Sequence, residues 1–382
     1  MALSTVFSPF DFFKPHPLFW YNLALIIGII IGSNSTSFMS LLIISNCLMI
    51  YSLILFYFFI FKKKYNHIFI MTLALSCALG ILRYELYTFS YEIFKSSVNE
   101  VSGNAQVVDY QKDNGIRTTY MLTLKLLSGH YLFYPVIKLY LNRPISLEVA
   151  DIIQVNNLSI KKSNNTNFDK YLFKEGIIAT AFKPSLDFTI INRPRYSFHR
   201  WLHQTRNRII TAFKLNMSKT TYTLFCSIFL GCKSPYTCLL GKIKNQCSYW
   251  GIVHYLARSG LHVVLIIFLW ALVLKLIPIP GKFKEIFMLF LIIVYFCLTN
   301  SSISFIRAFI TFILYTVCTL QDFRTHTLHI ITITCFLVLL YNPHQLFYLD
   351  FQLSFALTFA LAWYNEYILQ TKNKKIVQTD CY

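Results

Sequence analysis

Apolar residues recur in this chain in blocks of membrane-spanning length, and no other feature of the sequence limits its fold so strongly. A helix needs about 20 predominantly apolar residues to cross the hydrocarbon core of a bilayer. Such blocks run over about 18–31, 38–61, 67–82, 252–277, 284–300, 303–320, 326–341 and 346–369. They predict an α-helical polytopic membrane protein with about eight transmembrane helices. The first block follows Lys14 without a small-residue cleavage site, and the second succeeds it within a few residues, so it reads as an anchor and not as a removed leader. Composition agrees. Of 382 residues, 55% are hydrophobic and 13% charged, against roughly a quarter charged in soluble domains. This excludes a soluble nucleic-acid-binding regulator, even though the formal net charge is +19. Lys and Arg gather in cytoplasmic loops for topological reasons, so basicity alone names no partner.

The same charges orient the chain. Placing Lys62, Lys63 and Lys64 in the cytoplasm puts the N-terminus inside and delivers residues 85–250 to the outer side. Counting onward, Lys282, Lys284, Arg324 and a tail with Lys372, Lys374 and Lys375 fall inside, so the C-terminus is cytoplasmic too. The outer loops near 300–302 and 341–347 carry no Lys or Arg. Four basic clusters therefore agree with one threading.

Residues 85–200 differ in character from the spans. AQVVDY (105–110), TYMLTLKLL (119–127), ISLEVADIIQV (145–155) and GIIATAF (176–182) alternate as β-strands do. Five or so strands in about a hundred residues suit a small barrel or sandwich, either a guiding module or a plain spacer. From Tyr196 to Lys219, Arg200, Arg206, Arg208, Lys214 and Lys219 alternate with Trp201, Leu202, Ile209, Ile210, Phe213 and Leu215. That amphipathic stretch suits a membrane surface or a phosphate backbone. Residues 222–231 are apolar but too short to span, which suggests a re-entrant or interfacial segment. Of the ten cysteines, Cys47, Cys77, Cys297, Cys318 and Cys335 lie in apolar blocks as packing residues. Cys226, Cys232, Cys238 and Cys247 match no standard zinc spacing. On an oxidising side, Cys232 and Cys238 are compatible with a disulfide.

Polar residues inside spans are costly and tend to be functional. HYLARSGLHVVL (254–265) opens an apolar run with His254, Arg258, Ser259, Gly260 and His262. Ser-Gly weakens a helix there and His exchanges protons near neutrality, although an ordinary helix start capped by Ser259 fits as well. Arg307, in SSISFIRAF (301–309), either snorkels to headgroups or faces a polar cavity where a guanidinium holds phosphate. DFQLSFAL (350–357) begins a span with Asp350, Gln352 and Ser354, of which Asp350 and Ser354 share a helix face. The threading puts residues from all three segments in the outer half of the membrane, as a shared hydrophilic vestibule requires.

These segments carry a family resemblance. HYLARSGLHV closely resembles the H-L-L-A-I-S-G-L-H-V signature of the ComEC family, competence proteins that carry transforming DNA across the bacterial inner membrane. LFCSIFLGCKSP (224–235) resembles the family's leucine-rich stretch, SISFIRAFI (302–310) its S-x-x-R-A segment, and LDFQLSFAL (349–357) its F-Q-L-S-F segment. All four occur in family order over about residues 195–370, while residues 1–195 match in architecture only. Arg258 departs from the pattern, standing where the family has an aliphatic residue.

The resemblance implies anchor helices over 1–84, an OB-like β-rich extracytoplasmic domain over 85–195, a competence-type channel domain over 196–371 and a basic tail over 372–382. It implies a multi-pass inner-membrane channel for single-stranded DNA. His254, Arg258, Ser259, Gly260, His262, Arg307, Asp350, Gln352 and Ser354 would line or order the path. Many family members add a metallo-β-lactamase-like domain proposed to degrade the strand left outside. This chain stops at Tyr382 and holds no H-x-H-x-D-H motif, so no enzyme activity, metal or cofactor is expected of it. The expected partners are the bilayer, single-stranded DNA, and a separate nuclease, DNA receptor and motor ATPase, since no G-x-x-x-x-G-K loop is present. A homo-oligomer stays open, as do two rival readings: a small-solute transporter, or a truncated, non-conducting remnant of the family.

Overall fold

The structure is a computed structural model. It describes residues 17–34, 65–97, 100–114, 118–127, 135–144, 146–159, 176–182, 188–231, 236–252, 260–299, 303–323 and 326–379, with 42, 44–46, 48–51, 53 and 172 as isolated positions. The protein is mostly helical, with one small β-sheet, and forms two units. One comprises residues 1–89 and 307–382, the other residues 90–306.

In the first unit, α1 (Pro17–Asn34) crosses α2 (Tyr65–Ser97) at very close range. A Cβ built on Gly28 would collide with the Cys77 carbonyl, and one on Gly80 with the Leu25 carbonyl. The missing side chains let the two backbones touch, as small residues do in membrane helix pairs. Ser76 Oγ adds a bond to the Tyr21 carbonyl at 2.7 Å. α9 (Thr327–Tyr341) packs on α1, and a 3₁₀ turn (Pro343–Phe347) leads into α10 (Leu349–Thr379). Ile330, Ile331, Thr334, Cys335 and Leu339 are buried along α9. Its buried threonines satisfy their hydroxyls on carbonyls one turn back: Thr332 on Leu328 and Thr334 on Ile330, at 2.7 and 2.8 Å.

Among the described residues, α1 is long and apolar enough to cross a membrane by length and composition. Three further apolar helices, Gly260–Lys275, Ser304–Leu320 and Thr327–Tyr341, are shorter, at 10–17 residues. Prolines close two of them. Pro278 and Pro280 follow the first, and Pro343 follows the third. The apolar block at 38–61 lies largely outside the described residues.

The second unit holds the sheet. β1 (Glu100–Asn114), β2 (Thr118–Leu126) and β3 (Val136–Leu141) form an antiparallel meander. β4 (Ile152–Ser159) returns to the free edge of β1, and β5 (Ala179–Phe182) lies parallel to β3. β6 (Phe188–Asn192) pairs with β4, giving the order β5-β3-β2-β1-β4-β6. Alternate residues build the core: Leu122, Leu124 and Leu126 on β2, Ile137, Leu139 and Leu141 on β3, Ile153 and Val155 on β4. Each such side chain contributes about 1.5–3 kcal/mol by leaving water.

Two strands, β3 and β6, escape the sequence expectation, and one expected strand is corrected. The run 145–155 is not extended throughout, because Glu148–Asp151 is a turn with Ala150 at φ 74° and β4 begins only at Ile152. The turn closes through the Glu148 amide on Asp151 Oδ2 at 3.0 Å and the Asp151 amide on the Glu148 carbonyl at 3.2 Å. These bonds offset the cost of a left-handed alanine.

After the sheet come α3 (Phe198–Asn216), α4 (Lys219–Phe225), a π-helical turn (Cys226–Leu230), α5 (Thr237–Tyr249), α6 (Gly260–Lys275) and α7 (Gly281–Leu298). α8 (Ile303–Leu320) follows and leads into the first unit.

Candidate functional site

Of the nine residues singled out from the sequence, His254, Arg258 and Ser259 lie outside the described residues, as does Cys232 with its suggested disulfide. Gly260 and His262 belong to the second unit; Arg307, Asp350, Gln352 and Ser354 belong to the first.

In the first unit the structure joins two of the sequence segments. Arg307, in the second turn of α8, donates from Nη1 to the Ser354 carbonyl and to Thr358 Oγ1, both on α10. Its guanidinium carbon lies 5.6 Å from the centre of the Phe355 ring, a cation–π distance. Thr358 Oγ1 in turn donates to the Ser354 carbonyl at 2.6 Å. Ser354 thus meets Arg307 through its backbone, and Thr358, which the sequence reading missed, completes the contact. The i, i+4 spacing from Ser354 to Thr358 is the signal that could have found it. Asp350 sits exposed in the first turn of α10, where a carboxylate suits the positive end of the helix. Gln352 turns back, its amide donating to the Leu346 carbonyl at 2.9 Å. It serves to close the turn before α10.

Near the middle of α2, Arg83 caps α9. Its Nε donates to the Leu340 carbonyl at 2.7 Å and its Nη2 to the Tyr341 carbonyl at 2.8 Å. A cation on the last carbonyls of a helix meets both their unsatisfied lone pairs and the helix dipole. Beside it, the rings of Tyr84 and Tyr87 pack on His344 at 4.6 and 5.2 Å, with Phe347 adjoining. Burial pushes the His344 imidazole down to about 3 and the Tyr87 phenol up to about 12, with Tyr341 adding to the latter.

In the second unit, Gly260 is buried at the start of α6, and the His262 ring stands edge-on to Phe229 at 6.3 Å. Phe229 lies in the π-helical turn that ends at Gly231, with φ 63°. π turns widen a helix locally and occur often at functional sites. The Phe229 carbonyl accepts the Tyr295 hydroxyl at 2.7 Å, which ties this turn to α7. The segment read as re-entrant or interfacial is helical, with an irregular end held by the half-buried Tyr295.

The β-sheet meets the basic helix through Asp151, which is 0% exposed. Its carboxylate accepts Arg193 Nη2 at 3.0 Å and Arg200 Nη2 at 2.5 Å. Arg200, in the first turn of α3, also donates to the carbonyls of Val149 at 3.1 Å and Pro194 at 2.7 Å. One turn on, His203 Nε2 lies 3.8 Å from Asp109 of β1. Thus Arg200, which the alternation had offered to lipid or phosphate, is committed within the protein, whereas Arg208 and Lys214 of the same helix are exposed.

Residues 239–381 match the model of a family described as Competence protein. A stretch of 123 residues is 34% identical to ComE operon protein 3 of Bacillus subtilis (strain 168), covering 32% of this chain and 16% of that protein. No solved structure matches.

Proposed function

We propose that this chain is a ComEC-type competence protein, multi-pass in the inner membrane, that passes single-stranded DNA into the cell during transformation; the match of residues 239–381 to the Competence protein family supports this reading. The observation that carries this reading is that the family match and the polar-in-apolar segments coincide. Arg307, Asp350, Gln352 and Ser354 all lie inside the matched region, as does the Ser259-Gly260-x-His262 string.

The apolar blocks supply about eight spans, threaded with both termini inside and the β-module outside. That module is of OB type. In support stand the β1-β2-β3 meander, the return of β4 to β1 and the parallel pairing of β5 with β3, which is how a small, partly open barrel of this kind is wound. The charge threading of the sequence assigns Arg258 and His262 to the outer mouth, where positive groups draw phosphate inward. Arg307 fixes the start of α10 so that Ser354 and Asp350 hold their places in the vestibule, and acts on the strand through that ordering. The residues present move DNA without cutting it. A DNA receptor and a motor ATPase are the partners in this reading.

The test is entry of labelled DNA into the cytoplasm of cells bearing the wild type, Arg307→Ala or His262→Ala at equal membrane abundance. The reading expects both variants to bind DNA outside and to lose entry by at least about tenfold, the effect of roughly 1.4 kcal/mol on a rate. Undiminished entry in cells lacking the gene would refute it.

A further inference from the structure

One wall of a groove of about 250 Å³ is formed by α3, and the others by the end of α4, the π-helical turn, α6 and α7. Arg206, Phe225, Phe229, Ile266, Trp270 and Tyr295 line it. The Tyr295 hydroxyl is already given to the Phe229 carbonyl, so the walls offer ring faces and hydrocarbon, with one guanidinium-bearing side chain at the α3 side. A nucleobase would carry ring nitrogens and carbonyls into such walls without partners, which disfavours it. A hydrocarbon chain leaves nothing unpaired. The helix alongside carries Arg200, Arg206, Arg208 and Lys214 with no acidic residue. It also presents an exposed stack of Phe198 on Trp201, 5.9 Å apart, the residue types that settle at headgroup level.

We propose that this groove holds an acyl chain of an anionic phospholipid, with Arg206 binding its phosphate. A guanidinium matches a phosphate with paired hydrogen bonds, and the volume accepts part of one chain rather than a whole ligand of ordinary size. The inference rests on the reading of this protein as membrane-embedded. In that threading the groove opens to the outer leaflet beneath an interfacial α3. The bound lipid would fill the space between α3 and α7 and hold the basic helix against the membrane.

Tryptophan fluorescence of the full chain in zwitterionic vesicles tests it. Phosphatidylglycerol or phosphatidylcholine with brominated chains is titrated in, and the Trp270 signal is taken as the difference between wild type and Trp270→Phe. The proposal expects Trp270 to be quenched at about fivefold lower mole fraction of the brominated anionic lipid, the preference one basic residue gives near a headgroup. Arg206→Gln should abolish this preference, and Arg208→Gln, outside the groove, should leave most of it. Equal quenching by both lipids overturns the proposal while leaving the membrane reading intact. An equal loss in both Arg variants, or displacement by a short oligonucleotide, also overturns it. Quenching of Trp270 by neither lipid, in protein that sediments apart from the vesicles, overturns the membrane reading itself.

Discussion

Asp151 shows how much one side chain decides here. It is fully buried, closes its own turn, and receives guanidinium groups from Arg193, just after β6, and Arg200, in the first turn of α3. Breaking a buried pair from one side leaves the other charge uncompensated, typically at about 3–5 kcal/mol. Asp151→Ala should therefore lower the unfolding free energy of the β-module by roughly that amount, measured by urea titration of the full chain in detergent, and free α3 from the sheet. A loss below about 1 kcal/mol would show that the pair is merely a surface contact. His344 makes a prediction of opposite chemistry. Burial among aromatic rings lowers its pKa from 6.5 to about 3, so folding favours the neutral ring. The unfolded chain takes up a proton near 6.5 while the folded one does not. Stability is then full above about pH 6.5 and falls steadily as pH drops toward 3. His344→Phe should flatten that slope in thermal unfolding followed against pH, and an unchanged slope would place its origin elsewhere.

At the level of elements, the tightest constraint is the α1–α2 crossing, where Gly28 and Gly80 face backbone carbonyls. Gly28→Leu must push the helices apart, and overpacking of this kind costs about 1–3 kcal/mol or more. Cysteine cross-linking between the two helices should report the separation as a loss of pairing, with the β-module unaffected; unaltered cross-linking would contradict the crossing. How much of this was legible in sequence varies with the physics of each element. Alternating runs such as 119–127 gave themselves away because every second side chain enters the core. The run 136–141 alternates as well, with Ile137, Leu139 and Leu141 inward, but its short length among apolar neighbours concealed it. The turn at Glu148–Asp151 was illegible because it depends on Arg193 and Arg200, some forty to fifty residues away. The π turn at Cys226–Leu230 was likewise hidden, since Tyr295 of α7 holds it. Arg307 was visible as a misplaced charge, but its partner Thr358 lay one helical turn beyond the segment that drew notice.

For the molecule as a whole, local pattern reaches less far. Apolar blocks and basic clusters suggest spans and sidedness, and the family match covers residues 239–381, while the proposed function depends on which polar residues meet a moving strand. Arg307 and Ser354 are joined across two helices, and His262 stands by the π turn that ends the leucine-rich segment. The account holds that such positions border the DNA, while apolar positions such as Phe268, 57% exposed on α6, face lipid. The most direct measurement is to place a photo-cross-linking amino acid at 262, at 354 or at 268, and to irradiate cells during uptake of labelled DNA. Covalent DNA adducts at 262 and 354, dependent on ongoing uptake and absent at 268, are the predicted result. Adducts at none of the three during active uptake, or at 268 as strongly as at 262, would contradict a DNA path through this domain.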